Sequence, residues 1–160
     1  MDIVALEEIK RLKYRYLRCV DLKLWDELED TLAPEATAEY GTPSNGGPLR
    51  FTGRDAILDF LRSTLGPGII TTHAAGQPEI DIAGERATGT WSFTDTVLAT
   101  EHNNTMIAGA AFYEDRYTRG ADGAWRILHT GYTRTYEYLL PLGGLPGFKL
   151  TANHWADGLP

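Results

Sequence analysis

From residue 69 onward the chain carries a pattern that leaves few folds open. Segments 69–83, 87–101, 105–119 and 124–138 are rich in Thr, Val, Ile, Tyr, Phe and Trp, the residues that suit a pleated surface. The breaks between them are Gly84-Glu85, His102-Asn103-Asn104 and Gly120-Ala121-Asp122-Gly123, lengths suited to hairpins. Long strands joined by hairpins make an antiparallel meander, and strands this long curve strongly as they twist.

Ahead of the meander the period is helical. Leu6, Ile9, Leu12, Tyr16 and Cys19 recur at three- and four-residue steps, with charged residues on the other face. Asp21 falls at or just past the end of this helix. A second short helix is expected through Trp25, Leu28, Glu29 and Leu32, stopped by Pro34. Residues 35–42 read as a short strand and 43–48 as a loop. Thr52-Gly53-Arg54-Asp55 opens a third helix, which Gly66-Pro67-Gly68 ends.

Helices followed by a meander make an α+β plan. The sheet cannot leave a long apolar face bare, so it should wrap the helices as a cone with an apolar pocket inside. Residues 1–140 are expected to form this cone. The tail, 141–160, has neither period, yet it carries Leu142, Leu145 and Phe148. It is expected to cover a pocket or an interface.

A chain of 160 residues is one domain's worth. Fifteen basic against 22 acidic residues leave a net charge of −7 and no basic stripe, which argues against a nucleic acid partner. No apolar run approaches the ~20 residues of a membrane helix. The first residues have no basic, then apolar, leader, so no signal peptide is expected. Cys19 stands alone and cannot form an internal disulfide, so a cytoplasmic location is expected.

Several residues could carry chemistry. His73 lies in Ile69-Ile70-Thr71-Thr72-His73-Ala74-Ala75, an apolar and small-residue setting. It is either a core histidine satisfied by a backbone carbonyl or a tuned base. Asp21 follows Leu17, Cys19 and Val20; it is either an exposed helix-end residue or a paired buried carboxylate. Alternation puts Trp91, Phe93, Asp95 and Val97 on one face, and the aromatics mark that face as inward. Arg134 shares strand parity with Leu128, Thr130, Tyr132 and Tyr136. It could pair with Asp95 or Asp21, bind an anionic ligand group, or snorkel to solvent. Tyr16 falls on the first helix's apolar stripe, and Tyr40 could reach a pocket from the first strand. His129 alternates with Trp125 and Ile127 and could be core, whereas His102 reads as exposed in a turn.

No two histidines stand at metal-ligand spacing, and a single cysteine excludes a thiolate zinc site, so no metal is expected. Phosphate-cradling glycine loops and a Gly-x-Ser-x-Gly elbow are missing too, so no cofactor is expected. Chemistry run on His, Asp, Tyr and Arg is proton transfer: elimination, isomerisation, cyclisation or water addition.

At these residues the sequence resembles the SnoaL-like branch of the cystatin-like α+β superfamily, which also holds nuclear transport factor two and scytalone dehydratase. The resemblance spans nearly the whole chain. It rests on Glu8-Ile9-Lys10-Arg11-Leu12-Lys13-Tyr14-Arg15-Tyr16, Val20-Asp21, Trp25-Asp26-Glu27-Leu28 and Gly53-Arg54-Asp55-Ala56-Ile57. Thr72-His73, Tyr113-Glu114-Asp115-Arg116-Tyr117 and Gly123-Ala124-Trp125-Arg126-Ile127 complete it. The closest pattern is that of bile acid 7α-dehydratase, whose site residues match Tyr16, Asp21, His73, Asp95 and Arg134 in order and approximate spacing. Hexachlorocyclohexane dehydrochlorinase uses a His–Asp dyad, which Asp21 and His73 would supply, but Thr130 stands near the place of its essential arginine.

The resemblance implies a cofactor-independent lyase, a dehydratase acting on a hydrophobic cyclic substrate such as a steroid or polyketide. It implies His73 as base, Asp21 as its partner and Tyr16 as a polarising donor. Asp95, Arg134, Tyr40, Trp91, Phe93 and Phe148 would meet the substrate. Alternatives are a polyketide cyclase or isomerase with the same base, and a non-catalytic ligand-binding domain or dioxygenase small subunit. A homotrimer or homodimer is expected.

Overall fold

A computed structural model describes residues 2–101 and 103–156; the turn expected at His102 lies outside them. Helix α1 spans Ile3–Leu22, and Asp2 caps it by accepting a hydrogen bond from the Ala5 amide at 3.0 Å. Its buried stripe includes Ile9, Leu12, Tyr16, Cys19 and Val20, and also the full length of Lys13. Lys23 ends the helix in the left-handed conformation, its amide donating to the Cys19 and Val20 carbonyls.

Helix α2 covers only Trp25–Glu29, shorter than the pattern suggests. Leu32 is drawn instead into strand β1 (Leu32–Tyr40), opposite Ile127. Pro34 sits within that strand, in the irregular stretch between Leu32 and Thr37 where the pairing register shifts. Strand β2 (Leu49–Thr52), too short to stand out in sequence, pairs antiparallel with β1 and leads into helix α3 (Arg54–Thr64).

The meander is completed by β3 (Ile70–Ala83), β4 (Arg86–Ala99), β5 (Thr105–Arg119) and β6 (Trp125–Pro141). The six-stranded sheet has the order β2-β1-β6-β5-β4-β3. Every neighbouring pair is antiparallel except β1 with β6, which is parallel, so the sheet is mixed rather than wholly antiparallel. A strand, a helix and the first three strands of the meander intervene between β1 and β6, which removes any need for a tight reversal. Helix α1 packs on β3 and β6 and α3 on β1, which places the core inside the curve. The architecture is the expected α+β cone.

Strand β6 breaks simple alternation twice. Its partners on β5 skip from Tyr117↔Ile127 to Arg116↔His129, and from Ala111↔Arg134 to Ala110↔Tyr136. Leu128 and Thr135 are therefore extra residues, and each reverses the facing of the residues beyond it. Trp125 and Ile127 point inward and are buried, and beyond the Leu128 bulge so do Thr130 and Arg134. Tyr136 and Tyr138 then point outward, so Tyr136 does not share a face with Arg134.

Strand β6 runs through residue 140 to Pro141, and buried Leu142 donates its amide to the Asn104 carbonyl at 2.8 Å. Farther on, the Trp155 ring lies 4.9 Å from Lys23 Nζ. No helix among the described residues is long and apolar enough to cross a membrane.

Candidate active site

The concave side of the sheet encloses a cavity of about 310 Å³. Leu17, Val20, Phe60, Leu61, Ile69 and Val97 supply apolar wall. His73, Asp95 and Arg134 reach the same space, together with Tyr16, Tyr40, Tyr113 and Tyr132.

Asp21 stands one residue before the end of α1, with its carboxylate turned toward β3. Thr71 and His73 are two residues apart on β3 and therefore face the same way. Asp21 Oδ1 accepts from Thr71 Oγ1 at 2.8 Å and from His73 Nδ1 at 2.6 Å. Its Oδ2 accepts from the His73 backbone amide at 2.8 Å. A carboxylate bonded this way fixes the imidazole with its proton on Nδ1 and its lone pair on Nε2. Neither partner is sealed off: the side chains are 14% and 19% exposed. The arrangement rejects both simple readings of the sequence, since no backbone carbonyl satisfies His73 and Asp21 is not an exposed cap.

Asp95 lies directly across from His73 in the β3–β4 register, so one alternation delivers both inward. Arg134 meets Asp95 through both terminal nitrogens, at 2.5 and 2.9 Å. Its Nε donates to Glu137 Oε2 at 3.2 Å. Strand β5 lies between these partners, and Gly109 is what lets the guanidinium cross it. A Cβ there would come 3.2 Å from Arg134 Nη1 and closer still to the Tyr136 carbonyl. Burial works against the Arg134 charge, but Asp95 outweighs it, and the guanidinium pKa is raised. Arg134 is thus fully engaged with two carboxylates and presents no free fork to an anionic ligand. Glu137 and Gly109 give no sequence signal, because the Thr135 bulge that turns Glu137 inward is invisible in the pattern.

Tyr16 and Tyr40 share a hydrogen bond between their hydroxyls at 2.9 Å. Burial raises the pKa of both, so each stays protonated and able to donate. Tyr40 is stacked on Phe60 at 5.8 Å between centroids. Tyr132 and Thr42 bond through their hydroxyls at 2.5 Å.

Three residues expected to touch substrate do not line the cavity. Trp91 lies two inward positions deeper along β4 than Asp95, fully buried, and its Nε1 donates to Tyr117 Oη at 2.8 Å. Phe93 stands behind the wall, 4.3 Å from the Tyr113 ring and 6.3 Å from the His73 ring, and supports both. Phe148 is 42% exposed on the tail, beyond the end of β6. His129 faces outward past the Leu128 bulge and bonds Thr37 Oγ1 through Nδ1 at 2.7 Å. Thr130, near the dehydrochlorinase arginine position, is buried against Lys13 Nζ at 3.4 Å. Among the described residues no three His, Cys, Asp or Glu side chains are placed to hold a metal ion.

The SnoaL-like domain family matches residues 2–131. The chain belongs to this family. Its SnoaL-like sequence is 26% identical over 135 residues to uncharacterized proteins of Mycobacterium tuberculosis and Mycobacterium bovis, covering 83% of this chain and 87% of each relative. Among solved structures, the cone is similar to hexachlorocyclohexane dehydrochlorinase LinA type 3 from Novosphingobium barchaimii. That match has a TM-score of 0.75 at 18% identity, over 94% of this chain and 96% of that one. A Novosphingobium aromaticivorans protein with a provisional scytalone dehydratase assignment matches with a TM-score of 0.73 at 19% identity, over 86% of this chain and 88% of that one. At such identities these likenesses establish the SnoaL-like cone and leave its chemistry to be argued from the site.

Proposed function

We propose that this SnoaL-like chain is a cofactor-independent lyase that eliminates water from a hydrophobic cyclic ketone, such as a steroid or polyketide. The observation that carries the reading is the His73–Asp21 pair, with Nδ1 tied at 2.6 Å and the opposite ring edge left for an apolar cavity. The cavity volume sits at the small end of ligand pockets, fitting one compact molecule. Dehydrochlorinase and dehydratase names among the structural neighbours support the same reaction class.

His73 Nε2 removes a proton from the carbon next to the carbonyl, and the C–H electrons flow into an enolate. Asp21 stabilises the imidazolium that forms. The enolate expels the hydroxyl on the adjoining carbon, and that hydroxyl takes the proton and leaves as water. The Tyr16–Tyr40 pair donates to the departing oxygen, and the Asp95–Arg134–Glu137 group shapes the polar end of the site. A positioned base supplies roughly 10²–10⁴-fold in rate.

The test is a panel of β-hydroxy ketones on steroid and polyketide skeletons, with mass spectrometry for loss of water. His73→Ala should lose at least ~10²-fold of kcat with its circular dichroism unchanged. Near-wild-type turnover by that variant refutes the base. A product of unchanged mass favours the isomerase or cyclase reading.

A homo-oligomer belongs to the same proposal. Phe112, Tyr136 and Tyr138 are all about half exposed on the outer face of β5 and β6, and a second copy there would cover them. The expected site of action is the cytoplasm.

A further inference from the structure

Four tyrosines line the cavity, and three have hydroxyl partners: Tyr16 with Tyr40, and Tyr132 with Thr42. The fourth, Tyr113, takes part in no side-chain hydrogen bond among the described residues. Its hydroxyl is also not one of the sealed, unpartnered polar atoms, which are Arg54 Nε, Asp115 Oδ1 and Trp125 Nε1. The Tyr113 hydroxyl therefore meets open space, and the space that Tyr113 lines is the cavity.

A second feature converges on the same ring. Lys13 is wholly buried, and its Nζ lies 3.3 Å from the centroid of Tyr113. The ammonium is held there by Asp115 Oδ2 at 2.7 Å and Thr130 Oγ1 at 3.4 Å. Asp115 is held in turn by the Tyr117 hydroxyl at 2.8 Å, which accepts from Trp91. A buried charge is costly unless it is paired, and Asp115 supplies the partner that keeps this ammonium beside the ring. A cation on the face of a phenol withdraws electron density from the ring and strengthens the O–H as a donor.

We infer that Tyr113 donates the hydrogen bond to the substrate carbonyl oxygen that becomes the enolate, and that Lys13 polarises and positions its ring. The inference rests on the proton-abstraction reading of His73. When His73 takes the carbon-bound proton, negative charge collects on the carbonyl oxygen, and the Tyr113 O–H stabilises it without giving up its proton. Burial foremost, then the neighbouring Tyr132, Tyr40 and Asp115, raise the Tyr113 pKa, so the phenol stays protonated as a donor must. The Phe93 ring is stacked on Tyr113 at 4.3 Å and lies 6.3 Å from the His73 ring. His73 and Tyr113 line the same cavity, so the proposed donor and base can address one ligand.

The test needs no natural substrate. 1-Tetralone is a compact apolar ketone that accepts a hydrogen bond, and tetralin is the same skeleton without the oxygen. Wild-type protein should bind 1-tetralone at least about 10-fold more tightly than tetralin, and Tyr113→Phe should erase that preference. The carbonyl stretch of bound, isotope-labelled 1-tetralone should lie at lower frequency in wild type than in Tyr113→Phe. Wild type without a preference, or Tyr113→Phe that keeps it, overturns the donor assignment. For Lys13 the variant is Lys13→Met/Asp115→Asn, which removes both charges at once. Its carbonyl stretch should fall between the other two, and a wild-type frequency overturns the polarising role. Should that double variant fail to fold, Lys13→Arg, which keeps the charge but displaces it from the ring centre, should move the stretch in the same direction. Because tetralone binding involves no proton abstraction, an intact ketone preference with no turnover on the hydroxy-ketone panel overturns the lyase reading and leaves Tyr113 standing.

Discussion

Removing the Lys13 ammonium alone should be among the most destabilising single changes in this chain. Lys13 and Asp115 side chains are both 0% exposed and meet at 2.7 Å. Burial lowers the Lys13 pKa, and Asp115 opposes that shift, so each charge depends on the other. Lys13→Met strands a buried carboxylate whose Oδ1 already lacks a partner. Breaking one side of such a pair costs about 3–5 kcal/mol. For a domain this size that is a fall in Tm of roughly 6–20 °C. Asp115→Asn should cost a similar amount by stranding the ammonium. The double variant should cost less than the sum of the two by about 2–3 kcal/mol, because it leaves no unpaired charge. Urea denaturation of the four proteins closes the cycle, with equal m-values as the check that one unfolded state is compared. If Lys13→Met costs under about 1 kcal/mol, or if the two costs simply add, the pair is not a buried, mutually dependent unit.

Other expectations rest on the same geometry. Asp21→Asn should leave the fold intact but cut turnover by at least ~10²-fold, because an amide can present its N–H to Nδ1 and invert the imidazole tautomer; equal turnover would remove Asp21 from the mechanism. His129 has its pKa lowered by burial first and by Arg116 second. Its unfolded state therefore takes up a proton more readily, and stability should decline as pH drops below about 6.5. His129→Gln should flatten that part of a stability-versus-pH curve, and an unchanged slope refutes the assignment. Light scattering at micromolar concentration should return a multiple of the monomer mass, and Tyr138→Glu should return the monomer; a monomeric wild type ends the self-association proposal.

The helices and the meander are legible because their periods are long and their breaks contain Gly, Pro or Asn. The facing of Asp95 is legible for the same reason, since β4 alternates without interruption from Arg86 to Ala99. The facing of Tyr136 and His129 is not, because each bulge in β6 inserts one ordinary residue, Leu128 or Thr135, that nothing in its side chain announces. Tyr113 escapes notice because its value lies in what its neighbours fail to do: three tyrosines find partners and it does not. Lys13 escapes because a lysine beside an apolar stripe normally snorkels to solvent, and only the arrival of Asp115, 102 positions later, keeps it inside. Trp91 shows the converse limit. An inward face extends along the whole depth of a cone, and parity cannot say which level of it a cavity occupies.

The crossing of Arg134 over Gly109 also bears on the order in which this protein can be completed during synthesis. A chain that has emerged only as far as β5 already holds His73, Asp21 and Asp95, but Asp95 then lacks the Arg134 counter-ion. Closing the cone around that lone carboxylate is unfavourable, so the partial structure has reason to stay open and wet. The arrival of β6 brings the guanidinium, the parallel pairing with β1 and Tyr132 together. A truncated or unfinished chain is thereby denied a dry pocket, and the proposed proton abstraction would be open only to the finished molecule.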